Sequence, residues 1–157
     1  MTIKFGESFA HRGGWWVVAQ IGLFGLILFA LTGNTDPALP LQILGWALVG
    51  AALLLGGTAM WMIRRRITAM PAPLDGAVLM EAGPFALVRH PIYAGVIAGF
   101  MGLSIKGGNV YALLASLLLI PFFYAKTQHE EQLLLARFPE YNAYRQRVRH
   151  RILPWIL

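Results

Sequence analysis

Gly83-Pro84-Phe85-Ala86-Leu87-Val88-Arg89-His90-Pro91-Ile92-Tyr93-Ala94-Gly95 is the stretch on which the reading of this chain turns. It sets Arg-His-Pro between apolar runs, and ionisable groups at a membrane boundary usually mark a functional site. The residue before a proline is pushed towards extended backbone. Pro91 suits the first position of a helix, which leaves His90 as the cap. His90 therefore stands at a helix mouth. Such a mouth gathers unpaired backbone N–H groups and the positive end of the helix dipole, and a carboxylate fits there. The plainer reading is an ordinary loop-to-helix junction with an arginine reaching to lipid headgroups.

Outward from this stretch the chain is apolar. Of its 157 residues 57% are hydrophobic and only 13% are charged, against roughly 25% charged in soluble domains. The mean hydropathy is +0.60. The composition predicts an all-α integral membrane protein of one domain, residues 1–157. Four apolar blocks run about Trp15–Thr32, Leu39–Ile63, Pro91–Ile105 and Val110–Ala125. A spanning helix needs about 20 residues, which the first two blocks supply. The last two are short and flank Lys106-Gly107-Gly108-Asn109, so they read as a helical hairpin. The expectation is four transmembrane helices, or five if the second block divides near Gly56-Gly57. Gly45, Gly50, Gly56 and Gly57 are candidates for close helix packing within or between chains. The first block has a weak basic leader and exceeds a typical signal-peptide core, so it reads as a retained span. Cysteine is absent, which excludes disulfides, thiolate metal ligands and a cysteine nucleophile.

Charge fixes the expected orientation. Every lysine and arginine except Lys106 falls on one side of this topology. The positive-inside rule then places both termini and the 64–90 loop in the cytoplasm, for a protein of the cytoplasmic or inner membrane. On that same side lies Glu130-Glu131. The helix expected over Lys126–Phe138 puts Lys126 and Glu130 on one face. Their bland reading is a surface ion pair, worth little. The functional one is a carboxylate that holds a cationic ligand group such as an α-ammonium. His129 lacks the spacing of a metal ligand set, and no metal site is expected. A new helix is expected from Pro139, with Glu140 in its first turn and Tyr141, Tyr144 and Val148 as an apolar-leaning stripe. The arginines from Arg145 to Arg151 sit beside Trp155 and Ile156, which favours anionic lipid over nucleic acid as their partner.

Taken together, Gly83-Pro84-Phe85, Arg89-His90-Pro91-x-Tyr93-x-Gly95, Glu130-Glu131-x-x-Leu134, Phe138-Pro139-Glu140-Tyr141, Tyr144, Arg147-Val148 and Pro154 resemble the isoprenylcysteine carboxyl methyltransferase family. The phospholipid N-methyltransferases share this pattern, and the match covers about residues 64–157, which the resemblance implies as the catalytic core region. The resemblance implies S-adenosyl-L-methionine as cofactor, in a cytosolic-facing pocket closed by the carboxyl-terminal helices. It implies a lipophilic small molecule or lipid as substrate, arriving from the bilayer. The cofactor contacts it implies are Ala77, Val78, Leu79 and Met80 through backbone, Phe85, His90, Pro91, Ile92, Tyr93 and Glu130. Glu130 would hold the methionyl ammonium, and His90 with the helix mouth the carboxylate. Phe85 and Tyr93 would pack adenine or the sulfonium, the latter by cation–π attraction. Arg89, Lys126 or Arg147 would orient an anionic acceptor. Lys126 stands where the eukaryotic enzymes have arginine and loses a bidentate grip. Phe85 stands where tyrosine is common, and Pro139 where glycine is.

Two other functions compete. A sterol-reductase-like membrane enzyme would bind NADPH, but the chain is short for one and has no glycine-rich dinucleotide fingerprint. A non-enzymatic lipid-binding module would use Arg-His-Pro only as a helix start. The topology is directly testable because the chain has no cysteine of its own. A cysteine at Asp36 should react with a membrane-impermeant maleimide in intact cells. One at Arg145 should react only after permeabilisation, and the reverse pattern would invert the topology.

Overall fold

All four apolar blocks fold as helices, for local reasons that the sequence displays. The computed structural model describes residues 13–64 and 79–153, and among these no residue is in a strand. Helix α1 covers Gly14–Ala30 and ends in a short 3-10 turn, Leu31–Gly33. Helix α2 runs Leu39–Ile63 without interruption. Helix α3 is Pro91–Lys106, with Pro91 at its start and His90 as N-cap, as the Arg-His-Pro reading requires. Gly108, at φ 62°, turns the chain. Asn109 then caps α4, Val110–Leu117, by accepting from the Ala112 N–H at 2.9 Å. Its amide also donates to the Ala30 carbonyl at 2.7 Å and so ties the end of α1 to the hairpin. Helices α5, Leu119–Arg137, and α6, Tyr141–Arg147, complete the described chain.

Three elements—Gly14–Gly33, Leu39–Ile63 and Val110–Arg137—are long and apolar enough to cross a membrane. Their apolar side chains, Phe29, Leu53, Leu54 and Trp61 among them, remain exposed, as lipid-facing positions do. Helix α3 is apolar but has only 16 residues. At 1.5 Å per residue it falls short of the roughly 30 Å hydrocarbon thickness.

Three boundaries differ from the sequence reading. The second block does not divide at Gly56-Gly57; Leu53–Gly57 is a π-helical segment inside a continuous helix. A π segment takes up one extra residue without breaking the helix. The fourth block does not stop at Ala125. The irregularity comes at Leu118, between α4 and α5, and α5 then carries Lys126, Glu130 and Glu131 on one rod. Pro121 accounts for it, because its ring crowds the carbonyl four residues back, that of Leu117. Pro139 does not begin α6. It lies in a turn, and Glu140 is the N-cap rather than a first-turn residue.

The main helix contact is α2 against α3, and glycines make it. A Cβ on Gly95 would sit 2.7 Å from the Gly56 Cα. A Cβ on Gly45 would sit 2.5 Å from the Lys106 backbone nitrogen. Such small-residue contacts let helix backbones approach in lipid, where the hydrophobic effect does not drive association. Gly50 and Gly57 have open space instead, so two of the four candidate glycines pack within the chain. The π segment brings Gly56 onto Gly95, one turn inside the mouth of α3. The core beneath the mouth contains Val88, Ala94, Ile97, Leu119, Phe123 and Ile152.

Gly95→Val should lower stability by about 1–3 kcal/mol, the usual cost of overpacking a closed contact. Gly57→Ala, at an open position, should leave it unchanged. Thermal unfolding of the detergent-purified variants checks both, and equal effects would show that the α2–α3 approach is not close.

Candidate functional site

The mouth of α3 is built around a buried carboxylate. Glu131 on α5 has a side chain only 3% exposed. Its Oε1 accepts from Arg89 Nε at 2.8 Å and from Arg151 Nε at 3.1 Å, and lies 3.3 Å from His90 Nε2. Its Oε2 accepts from Arg151 Nη2 at 2.9 Å. A carboxylate this deep requires such partners, because an unpaired buried charge is strongly unfavourable. Arg89 also donates through Nη1 to the carbonyls of Val148, at 2.6 Å, and Arg149, at 2.8 Å. The backbone joins in: Arg89 N–H donates to the His150 carbonyl at 3.0 Å and His90 N–H to the Arg151 carbonyl at 2.8 Å. Residues 148–152 are thus strapped across the start of α3, with Ile152 fully buried beneath. The Arg151 guanidinium lies 5.0 Å above the Tyr124 ring.

The strap carbonyls take the backbone N–H groups of Arg89 and His90, which lie ahead of the helix. The donors of the α3 mouth itself are the N–H groups of Ile92 and Tyr93, because Pro91 has none and the Ala94 N–H bonds the His90 carbonyl at 3.2 Å.

Glu130 has a different environment. Its side chain is 22% exposed. It accepts from the Tyr93 hydroxyl at 2.9 Å and stands 3.8 Å from His90 Nδ1. Among the described residues no lysine or arginine forms a salt bridge with it. The His90 ring sits between the two carboxylates. It stacks on Tyr93 at 5.7 Å, and Tyr93 stacks on Phe123 at 4.5 Å. The result is a short aromatic column with an acid at its edge.

The remaining predicted residues fall around this column. Lys126 is fully buried, not a surface partner of Glu130. Its ammonium donates to Gln20 Oε1 at 2.6 Å and lies 5.2 Å over the Tyr93 ring. Arg147 pairs with Glu81, a largely solvent-facing contact that ties α6 to the chain ahead of α3. Phe85 is half-buried in a 3-10 turn, Gly83–Ala86, and its carbonyl accepts from the Tyr144 hydroxyl at 2.7 Å. Pro91 is buried, and Ile92, Leu79 and Met80 are half-buried. Ala77 and Val78 lie outside the described residues, as do Pro154 and Trp155. His129 stacks near Trp16 at 6.4 Å, away from the two glutamates' partners. Among the described residues no group of three His, Asp or Glu is placed to hold a metal ion.

The Tyr141–Tyr144 stripe is buried as expected, while Val148 is half-buried just beyond α6. Burial pushes both phenols above their ordinary pKa range, so they are neutral donors at physiological pH. Tyr144 uses its proton on Phe85. The Tyr141 hydroxyl is enclosed and without a partner.

Sequence reasoning missed the distinct part of Glu131, and it missed Arg151, Gln20 and Tyr141. Gln20 carried a signal: it is a polar residue inside an apolar span, where polar groups usually face the protein interior. The other three depend on contacts between distant segments.

A family model described as phospholipid methyltransferase matches residues 41–140, from α2 to the turn before α6. No curated protein matches the chain. The first helix, and with it Gln20, lies outside the matched region.

Glu131→Gln keeps the shape but removes the charge that balances two guanidinium groups. Loss of one partner from a buried ion cluster typically costs about 3–5 kcal/mol. Arg151→Gln should cost less, because its side chain already reaches solvent. Amide exchange should accelerate at 148–152 in both variants, and an unaltered strap would show that Glu131 does not hold it.

Proposed function

The chain belongs to the phospholipid methyltransferase family, and on that premise we propose that it is an S-adenosylmethionine-dependent methyltransferase of the membrane. Its acceptor is lipophilic: an isoprenylcysteine-like carboxylate, a thiol or a lipid. The observation that carries the reading is the division of labour between the adjacent acids. Glu131 is satisfied inside the protein, whereas Glu130 is partly open and forms no salt bridge with a lysine or arginine among the described residues; the Lys126 ammonium, bonded to Gln20, acts on it only at longer range. A carboxylate in that state suits a cationic ligand group.

The residues present fit the cofactor. Glu130 holds the ammonium of its methionyl end. Tyr93, its ring stacked on His90 and Phe123, meets the site through its hydroxyl, which orients Glu130 by donating to it at 2.9 Å. Phe85, Pro91 and Ile92 supply apolar wall, and the backbone of Leu79 and Met80 a further edge. When bound, S-adenosylmethionine supplies an electrophilic methyl group on sulfur, which an acceptor lone pair takes by in-line displacement. The protein's contribution to such a step is alignment and exclusion of water. Of the three basic residues expected to orient an anionic acceptor, Lys126 fits that role best. It is buried beside the aromatic column, and Gln20 holds its ammonium in place. Arg89 and Arg147 act one step back, as the residues that hold the strap and α6. The orientation expected from the charges places this site at the cytoplasmic face, open to acceptors that arrive through the bilayer.

Isothermal titration of the detergent-purified protein with S-adenosylmethionine should show saturable binding that Glu130→Ala abolishes. Mass spectrometry of a lipid extract incubated with both should show a methylated product. A folded protein that ignores S-adenosylmethionine but binds NADPH would sink the reading in favour of a reductase.

A further inference from the structure

Lys126 and Glu130 lie four residues apart on α5, on one face of the helix, and the simplest arrangement pairs them. The structure carries the Lys126 ammonium elsewhere. It reaches across to α1 and donates to Gln20 Oε1 at 2.6 Å. An ammonium can only donate, so the oxygen of the Gln20 amide must be the atom that faces it. No salt bridge joins Lys126 to Glu130.

The two groups nevertheless meet the same ring. The ammonium lies 5.2 Å over the face of Tyr93, and Glu130 accepts from the Tyr93 hydroxyl at 2.9 Å. One tyrosine therefore separates a fully buried cation from a partly open acid. A buried charge that loses a partner is strongly unfavourable and is drawn to another. The neighbouring Glu131 is already held by Arg89 and Arg151, whereas Glu130 is in reach along the helix face. Gln20 itself is a polar residue in an apolar span, Gly14–Gly33, where such groups usually have a specific task.

Resting on the methyltransferase reading, we propose that Gln20 is a positioning residue that keeps Glu130 available: by holding the Lys126 ammonium on α1, it prevents an ion pair between Lys126 and Glu130 and so leaves that carboxylate to the ammonium of the cofactor.

Isothermal titration of detergent-purified variants with S-adenosylhomocysteine, whose amino-acid end carries the ammonium, tests this. In Gln20→Ala the lysine turns to Glu130. A site blocked by its own lysine about nine-tenths of the time should bind about tenfold more weakly. Methylthioadenosine, which lacks the amino-acid end, should bind parent and Gln20→Ala alike. Adding Lys126→Met to Gln20→Ala removes the competing cation and should restore the affinity for S-adenosylhomocysteine. A further variant, Gln20→Glu, keeps an oxygen against the ammonium and should bind as the parent does. Unchanged affinity in Gln20→Ala would overturn the proposal, as would a Gln20→Glu protein as weak as Gln20→Ala. So would a loss that Lys126→Met does not repair, or an equal loss for methylthioadenosine, because either marks Gln20 as structural support alone. Failure of the parent protein to bind S-adenosylhomocysteine would instead overturn the methyltransferase reading, and this proposal with it.

Discussion

A buried carboxylate surrounded by Arg89, His90 and Arg151 is the constraint on which the site depends. These groups come from the start of α3 and from the segment beyond α6, and Glu131 itself from the last long helix. The charge of Glu131 is costly to bury without such partners. Its burial therefore specifies the geometry of the site more than it adds to stability. Arg89 extends the same constraint into the backbone, since its side chain and its N–H both bind the strap. His90 is the link outward: one ring nitrogen faces Glu131 and the other faces Glu130. The open acid is thereby held in a fixed relation to the satisfied one.

That cluster rests on a second constraint, the approach of α2 to α3. Gly56 and Gly95 meet with almost no space between backbones, just inside the helix mouth. The π segment in α2 lies at this contact. In a bilayer, apolar side chains on helix surfaces gain little by leaving lipid for protein, so close van der Waals contact has to position the helices. The α3 mouth is consequently set by backbone contact on one side and by ionic contact on the other. Tyr93 projects from the first turn of α3 between these, which explains how its ring can be held by His90 and Phe123 while its hydroxyl reaches Glu130.

Several of these features are legible in the linear chain. The apolar blocks, the cap at His90 and the turn at Gly107-Gly108 follow from local preferences and appear where the sequence puts them. Helix limits were less legible. Pro121 displaces the irregularity in the last block to Leu118, and α5 continues through the glutamates as one helix. The pairing of Gly45 and Gly56 but not Gly50 or Gly57 depends on which face of α2 meets a neighbour, and composition carries no record of that.

An apolar helical chain with an Arg-His-Pro helix mouth and an acid pair can be read from residue order alone. Proline geometry, helix capping and hydropathy act over a few residues and leave their mark in order and spacing. The environment of each acid, buried for Glu131 and partly open for Glu130, comes from packing between distant segments. Adjacent residues on a helix point about 100° apart, so Glu130 and Glu131 cannot share an environment. Which of them turns inward depends on where α5 packs and on whether the strap returns to α3. Lys126 followed the same logic, drawn inside by Gln20 from the opposite end of the chain, and so did the two tyrosines of α6, one satisfied and one not.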